Sequence, residues 1–444
     1  MLPPRFLSFP LALLLFLCLL PAISRADVLR ETLPNGLNVL ILENPGTATV
    51  SVDLWVRAGS RYESTEINGI SHFTEHLLFK GTSKRTAKDI SRQIAAVGGH
   101  LNGYTHWEYT HLHTYVLHPY LDLALDILAD IAQNSLMTED MVEKERKVLL
   151  EEISLANIFP PSYVLNIVSR TLFPGNSLGM PISGTKETVN ALRRQNLLQF
   201  YRRHYAPDNT FLTVVGNVDF QAALAQVREK FISWPKGNQP PVSLLPPLPQ
   251  SKPQEVRERK FLDQAIVVLA LQAMDLKDID RPAFEVINAI LGSGGNSRLY
   301  QEIREKRALS YLVGSLYHPL SDTGLWAIYA GTHPKNVDQV RSIIFQEIEK
   351  IRRELLSPQE LMEAKNFIRG RTLIRDENNA RLAEFIGHGL IANCFELPDN
   401  FLAKVQAVSA EDVRRVAQTY LREDLFNLII LKPYPGLMLL RRLF

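Results

Sequence analysis

The sequence predicts an α+β protein of two homologous domains, and three observations carry that expectation. From Val28 to Val218, segments with apolar residues at every second position alternate with segments at helical spacing. A proline-dense stretch then breaks both patterns between Trp234 and Glu255, with Pro235, Pro240, Pro241, Pro246, Pro247, Pro249 and Pro253. That many prolines suit neither a helix nor a central strand. After it the same order of elements returns, the mark of a duplicated unit of about 200 residues.

Bulk composition agrees. A chain of 444 residues is long enough for two packed cores. Its 46% apolar and 22% charged residues are those of an ordinary globular protein. A net charge of +2 with no long basic run excludes nucleic acid as a partner class.

Residues 1–26 read as a secretory signal: Arg5, an apolar run Phe6–Leu20, then small residues at Ser24 and Ala26 before the cut. The expected location is across the inner membrane, in the periplasm, with an uncleaved signal anchor as the alternative. Cys18 leaves with the signal, so Cys394 has no intrachain partner, and a metal site must use His and carboxylate.

The first domain is expected over 27–234. Val28–Leu33 and Leu37–Glu43 flank Pro34-Asn-Gly36, a hairpin signal. Thr49–Ala58 alternates as a half-buried strand. A helix carrying His72 follows, then an amphipathic helix over Thr86–Ala96 stopped by Gly98-Gly99. Residues 100–117 read as strands. Helices are expected over Tyr120–Ala132, Thr138–Leu155 and Asn190–Tyr205, and a closing strand over Phe211–Val218. Residues 235–255 form a semi-rigid linker.

The second domain, 256–436, repeats this. Ala265–Ala273 and Leu325–Tyr329 are strands, and Pro282–Leu291, Val337–Leu355, Ser357–Thr372 and Val408–Leu421 are helices before a last strand at Leu425–Leu431. Thr138 and Ser357 set an offset of 219 between the copies. The tail, 437–444, is apolar with Arg441 and Arg442, fitting either membrane contact or packing.

The chemistry centres on His72-Phe-Thr-Glu75-His76. On a helix, His72 and His76 share a face one turn apart, where two imidazoles can meet one metal ion, and Glu75 projects close by. Two neutral ligands and a base are the minimum kit for metal-assisted hydrolysis. A third ligand is still needed. Glu145 and Glu152, seven apart on one helix face, offer a ligand and an acceptor for an imidazole N–H; a solvated charged face is the competing explanation. His100, His106, His111, His113 and His118 also cluster, but polar strand or cleft lining explains them better than a second metal site.

The wider sequence resembles the pitrilysin-type, or M16, zinc metallopeptidases, with the inverted His-x-x-Glu-His order of the inverzincins, especially the branch of mitochondrial processing peptidase and its bacterial relatives. The matching blocks are Gly69–Thr82, Gly98–Thr105, Glu145–Glu152, Pro181–Thr185 and Val215–Asn217. The resemblance implies a LuxS/MPP-like duplication, one Zn2+ per chain on His72, His76 and Glu152, Glu75 as general base and Glu145 behind a ligand. It also implies that Asn102 touches substrate backbone, and that Arg304 and Tyr311 of the second half reach across to the substrate. Read without it, Arg304 is solvated and Tyr311 is core. The 219 offset sets Glu145 and Glu152 against Ala364 and Arg371, so the second copy keeps the fold without the metal. The expected function is a zinc endopeptidase acting on peptides or unfolded segments in a clamshell chamber formed on dimerisation. A homodimer is the first expectation and a heterodimer with an M16 paralogue the second. The rival is a non-catalytic scaffold or assembly subunit.

Overall fold

The computed structural model describes residues 28–158, 160–237, 246–250 and 252–434. The signal, the tail and the middle of the linker lie outside them. Among the described residues no helix is long and apolar enough to cross a membrane.

The first half builds one six-stranded sheet from β1 (Val28–Thr32), β2 (Asn38–Glu43), β3 (Thr49–Val56), β4 (His100–Thr105), β5 (Thr110–Leu117) and β6 (Thr210–Gly216), in the order β1-β2-β6-β3-β5-β4. Gly36, at φ +95°, closes the β1–β2 hairpin with its N–H on the Leu33 carbonyl. The second half builds a five-stranded sheet from β7 (Glu255–Lys260), β8 (Ala265–Ala273), β9 (Ser310–Pro319), β10 (Gly324–Thr332) and β11 (Asn427–Pro433), in the order β7-β11-β8-β10-β9. Without β1 the two orders correspond strand for strand. Each sheet has one parallel pair, β2 with β6 and β7 with β11. The duplication is real.

On its inner face the first sheet presents Val50, Val52, Leu54 and Val56, packed with the helices Ile70–Leu78 and Leu121–Asn134. The other face of each sheet is covered by a helix from the opposite half. Asn379–Ile391 lays Leu382, Ala383, Ile386 and Leu390 over Leu40, Leu42 and Val215. Gly387 is obligatory there, because a Cβ would fall 2.0 Å from the Trp55 ring. Buried Asn379 ties this helix to the first sheet by donating to Thr47 Oγ1 at 2.9 Å and the Thr49 carbonyl at 3.0 Å. Reciprocally, Pro160–Leu172 sets Ile167, Val168 and Leu172 on the second sheet with Val268, Ala270, Ile429 and Leu431. Each fully buried aliphatic side chain of this kind contributes roughly 1.5–3 kcal/mol. The exchange locks the halves together.

A buried ion network adds to it. Arg61 pairs with Glu108 at 2.5 Å and with Asp322 of the β9–β10 turn at 2.6 Å, and Glu108 accepts the Ser321 N–H at 3.0 Å. Arg61 and Glu108 side chains are 0% and 1% exposed, so removing one charge leaves the other desolvated. Glu108→Ala is expected to lower unfolding free energy by about 3–5 kcal/mol, read as a denaturation midpoint; a shift under about 1 kcal/mol, the size of a surface pair, would contradict this.

One expectation needs correction. Asn190–Tyr205 is two helices, Lys186–Ala191 and Arg194–His204, because Leu192 and Arg193 turn extended and Asn196 Oδ1 accepts the Arg193 N–H as a new helix start. The linker gives way to strand β7 at Glu255. Helices Pro160–Leu172, Phe220–Phe231, Asn379–Ile391 and Pro398–Ala407, and strand β9, were not anticipated.

Candidate metal centre

Helix Ile70–Leu78 buries Ile70, Phe73, Leu77 and Leu78, which turns His72, Glu75 and His76 towards a cleft. Its start is built with care. Gly69 stands at φ +93° and packs against Gly184, where a Cβ on Gly69 would come within 2.8 Å of the Gly184 Cα. Glycine cannot cap with a side chain, so Glu63 reaches back. Its carboxylate accepts the Gly69 N–H at 2.8 Å, the Ser71 N–H at 2.9 Å and the Asn68 amide at 2.9 Å. A carboxylate on the free N–H groups of a helix start fixes where the helix begins. That fixes the two histidines.

The imidazoles of His72 and His76 lie 4.5 Å apart, centre to centre, at 73°. Glu152, on helix Glu139–Ala156, places Oε1 3.7 Å from His72 Nε2 and Oε2 3.6 Å from His76 Nε2. Those separations are too long for good hydrogen bonds. They are close to the roughly 3.3 Å between ligands sharing a tetrahedral ion at the usual zinc distances. One face of this helix also carries Glu145, which accepts from His76 Nδ1 at 2.9 Å and from Lys80 Nζ at 2.9 Å. Burial opposes ionisation of Glu145, and the His76 and Lys80 hydrogen bonds overcome it, so its pKa is lowered. The hydrogen bond keeps the His76 proton on Nδ1 and leaves Nε2 free to ligate. His72 Nδ1 is buried and meets no acceptor among the described residues.

Two carboxylates compete for one ligand position. Glu75 and the two histidines offer atoms within 4.8 Å of one another. Glu152 nonetheless faces both Nε2 atoms, one carboxylate oxygen opposite each. Glu75 is 6% exposed, and burial pushes its pKa to about 7, with Glu152 and Glu145 adding to the rise and His76 opposing it. A carboxyl poised near neutrality suits proton transfer rather than ligation. The donor set therefore fits zinc through His72, His76 and Glu152, with Glu75 beside it.

The cleft has a volume of about 550 Å3, with Phe79, Trp107, Leu165 and Ile182 as apolar walls and Asn102 on one side. Asn102 belongs to β4, whose outer edge pairs with no other strand among the described residues. Gly103 has no room for a side chain, since a Cβ would meet Phe79 at 2.9 Å and Glu75 Oε1 at 3.0 Å. Glu63, Lys80 and Gly103 were missed from the sequence. A helix starting at glycine, with an acid a few residues before it, is the signal that could have found Glu63.

Arg304 and Tyr311 are not brought to this cleft. The Arg304 guanidinium stacks 4.4 Å over the Tyr311 ring and 4.8 Å over Tyr300, and Tyr311 is 80% exposed at the start of edge strand β9. The five histidines of 100–118 do not line the cleft either. Asp53 Oδ1 accepts from His111 Nε2 at 2.8 Å, and the His111 ring stacks on Trp55, on the sheet face beneath helix Asn379–Ile391; no second metal-binding group stands out among the described residues.

The chain is similar to known proteins along most of its length. Residues 38–186 match the family described as insulinase (peptidase family M16), and 191–368 match the peptidase M16 inactive domain. A protein of Streptomyces coelicolor named an uncharacterized zinc protease is 36% identical over 89% of this chain and 87% of its own. The similarly named YmxG of Bacillus subtilis is 30% identical over 91% and 98%. Among solved structures, a protease from Helicobacter pylori shares the fold with a TM-score of 0.88 at 23% identity, covering 92% of this chain and all of the other. A chain of complex III2 from Candida albicans does so at 0.78 and 23%, covering 92% and 96%. With relatives of this identity spanning nearly the whole chain, the protein belongs to the M16 peptidase family.

Proposed function

We propose that the chain is a zinc-dependent endopeptidase for peptides or unfolded segments, with one zinc on His72, His76 and Glu152. The observation that carries this is Glu152 facing both Nε2 atoms at 3.6 and 3.7 Å across a cleft that also holds Glu75. Zinc, when bound, supplies a Lewis acid and brings a water's pKa towards about 7. Glu75 takes the proton of the attacking water and returns it to the leaving nitrogen. Glu145 holds His76 in its ligating tautomer, and the free edge of β4, with Asn102, receives an extended peptide backbone. The apolar walls keep the reacting bond dry.

Because the halves are locked together, Arg304 and Tyr311 join this chemistry only through a local movement of the β9 edge towards bound substrate, where they would meet the developing oxyanion. Tyr311→Phe is then expected to keep zinc and lower kcat by about 100-fold, read with a quenched peptide. An unchanged kcat would remove the second half from the chemistry. We propose also export behind residues 1–26 and a homodimer, because one chain carries both the metal residues and the Arg304–Tyr311 pair.

The test of the reading is cleavage of a quenched peptide by the purified chain, with product masses. Internal cleavage that a chelator abolishes and zinc restores supports it. A zinc-loaded chain that cleaves nothing leaves the scaffold reading.

A further inference from the structure

A shift of 219 carries helix Pro160–Leu172 onto Asn379–Ile391, and helix Glu139–Ala156 onto all but the last residue of Pro358–Asp376. It also carries Glu152, Ala156 and Asn166, which line the metal cleft, onto Arg371, Arg375 and Phe385. Those three line a cavity of about 520 Å3 in the second half. The duplication kept the hollow and reversed its charge.

Arg281, in the first turn of helix Arg281–Gly292, is 8% exposed, with its guanidinium 4.5 Å over Phe401. Its nearest carboxylate, Glu396, is 3.8 Å away and is held by Lys404 at 2.6 Å. Arg375 lies 4.7 Å over Phe385 and gives Nε to Asp376 at 2.7 Å, while its buried Nη2 donates to no described residue. Arg371 stands 5.6 Å from the centre of the Phe367 ring and pairs with no carboxylate among the described residues. Buried His388 Nε2 also lacks a partner, and burial, then Arg281 and His318, keep that ring neutral with a pKa of about 4. The remaining acid is Glu285. Burial raises its pKa against the pull of Arg281 and Arg375.

Buried Arg281 gives Nη1 to the Leu276 carbonyl at 3.3 Å, but its Nε, like Arg375 Nη2, is a buried donor without a partner among the described residues, which is costly unless something completes it. Planar guanidinium forks match a carboxylate or a phosphate. The apolar lining of Leu276, Phe367 and Ile368 favours an apolar body over a bare phosphate. We propose that this cavity binds a carboxylate carried on an apolar body. That chemistry is shared by the C-terminal residue of a peptide ending in an aromatic side chain and by a free aryl-alkanoic acid. In the first case the proposal rests on the peptidase reading, and the cavity would hold a substrate or product chain end.

Calorimetric titration of the full, zinc-loaded chain tests it, with N-acetyl-L-phenylalanine, its carboxamide and 3-phenylpropionate as probes. Expected is one acetylphenylalanine per chain, no measurable binding of the carboxamide, and about 10-fold weaker binding in Arg371→Gln and Arg375→Gln. Equal binding of 3-phenylpropionate identifies the free acid as sufficient, and much weaker binding identifies peptide ends. Absence of binding, equal binding of the carboxamide, or binding unchanged in both variants overturns the proposal, the last because a carboxylate on the zinc would not notice them. Arg371 is exposed, so its variant should fold as the parent does, checked by thermal melting. The titration reads binding alone, so its failure leaves the peptidase reading standing, and an inactive chain can still pass.

Discussion

Glu75→Gln is expected to retain one zinc and to lose about 1,000-fold or more in peptide cleavage. Glutamine fills the same space against Gly103 and Phe79, so the cleft keeps its shape while the carboxyl that accepts the proton is gone. The residue follows His72 by less than one turn on a helix whose start is pinned by Glu63, so it cannot swing away from the metal residues. The readouts are kcat on a quenched peptide and zinc by elemental analysis. Activity within a few-fold of the parent would place the base elsewhere. Loss of zinc would make Glu75 the third ligand and leave Glu152 without that role.

Glu152→Gln is expected to do the reverse, losing zinc outright at micromolar protein. The two carboxylate oxygens each face one Nε2, and a neutral amide is a much poorer partner for the ion. Glu145→Gln touches the metal only through His76 Nδ1, so its zinc affinity should fall by about 10–100-fold. Competition against a chelator of known affinity ranks the two. If Glu145→Gln lost more zinc than Glu152→Gln, the assignment of ligand and supporting carboxylate would be inverted.

What could be read from the sequence was what is local. His72, Glu75 and His76 share one helical turn, and Glu145 and Glu152 share one helix face, so spacing put each group together, while joining the two groups took the family resemblance. The repeat was legible for the same reason, since each strand and helix carries its own period. The elements that went unread depend on the other half. Pro160–Leu172 begins with two prolines and buries Ile167 and Val168 against a sheet more than 90 residues later in the chain. Asn379–Ile391 includes Gly387 and Gly389, poor helix formers that are needed because Trp55 and the turn at Cys394 come so close. The Arg61–Glu108–Asp322 network, with partners 47 and 261 residues away, leaves no periodic trace. Arg304 and Tyr311 matched in spacing, but spacing does not say which way an exposed edge strand faces.

The central claim is that one metal, held by this chain alone, makes it a peptidase, and a zinc titration of the chelator-stripped protein tests it most directly. Zinc is added in fractions of an equivalent while the rate on a quenched peptide is followed. The account predicts a rate that rises linearly and stops at one zinc per chain. No cleavage at saturating zinc, or a rate already full before zinc is added, would contradict it.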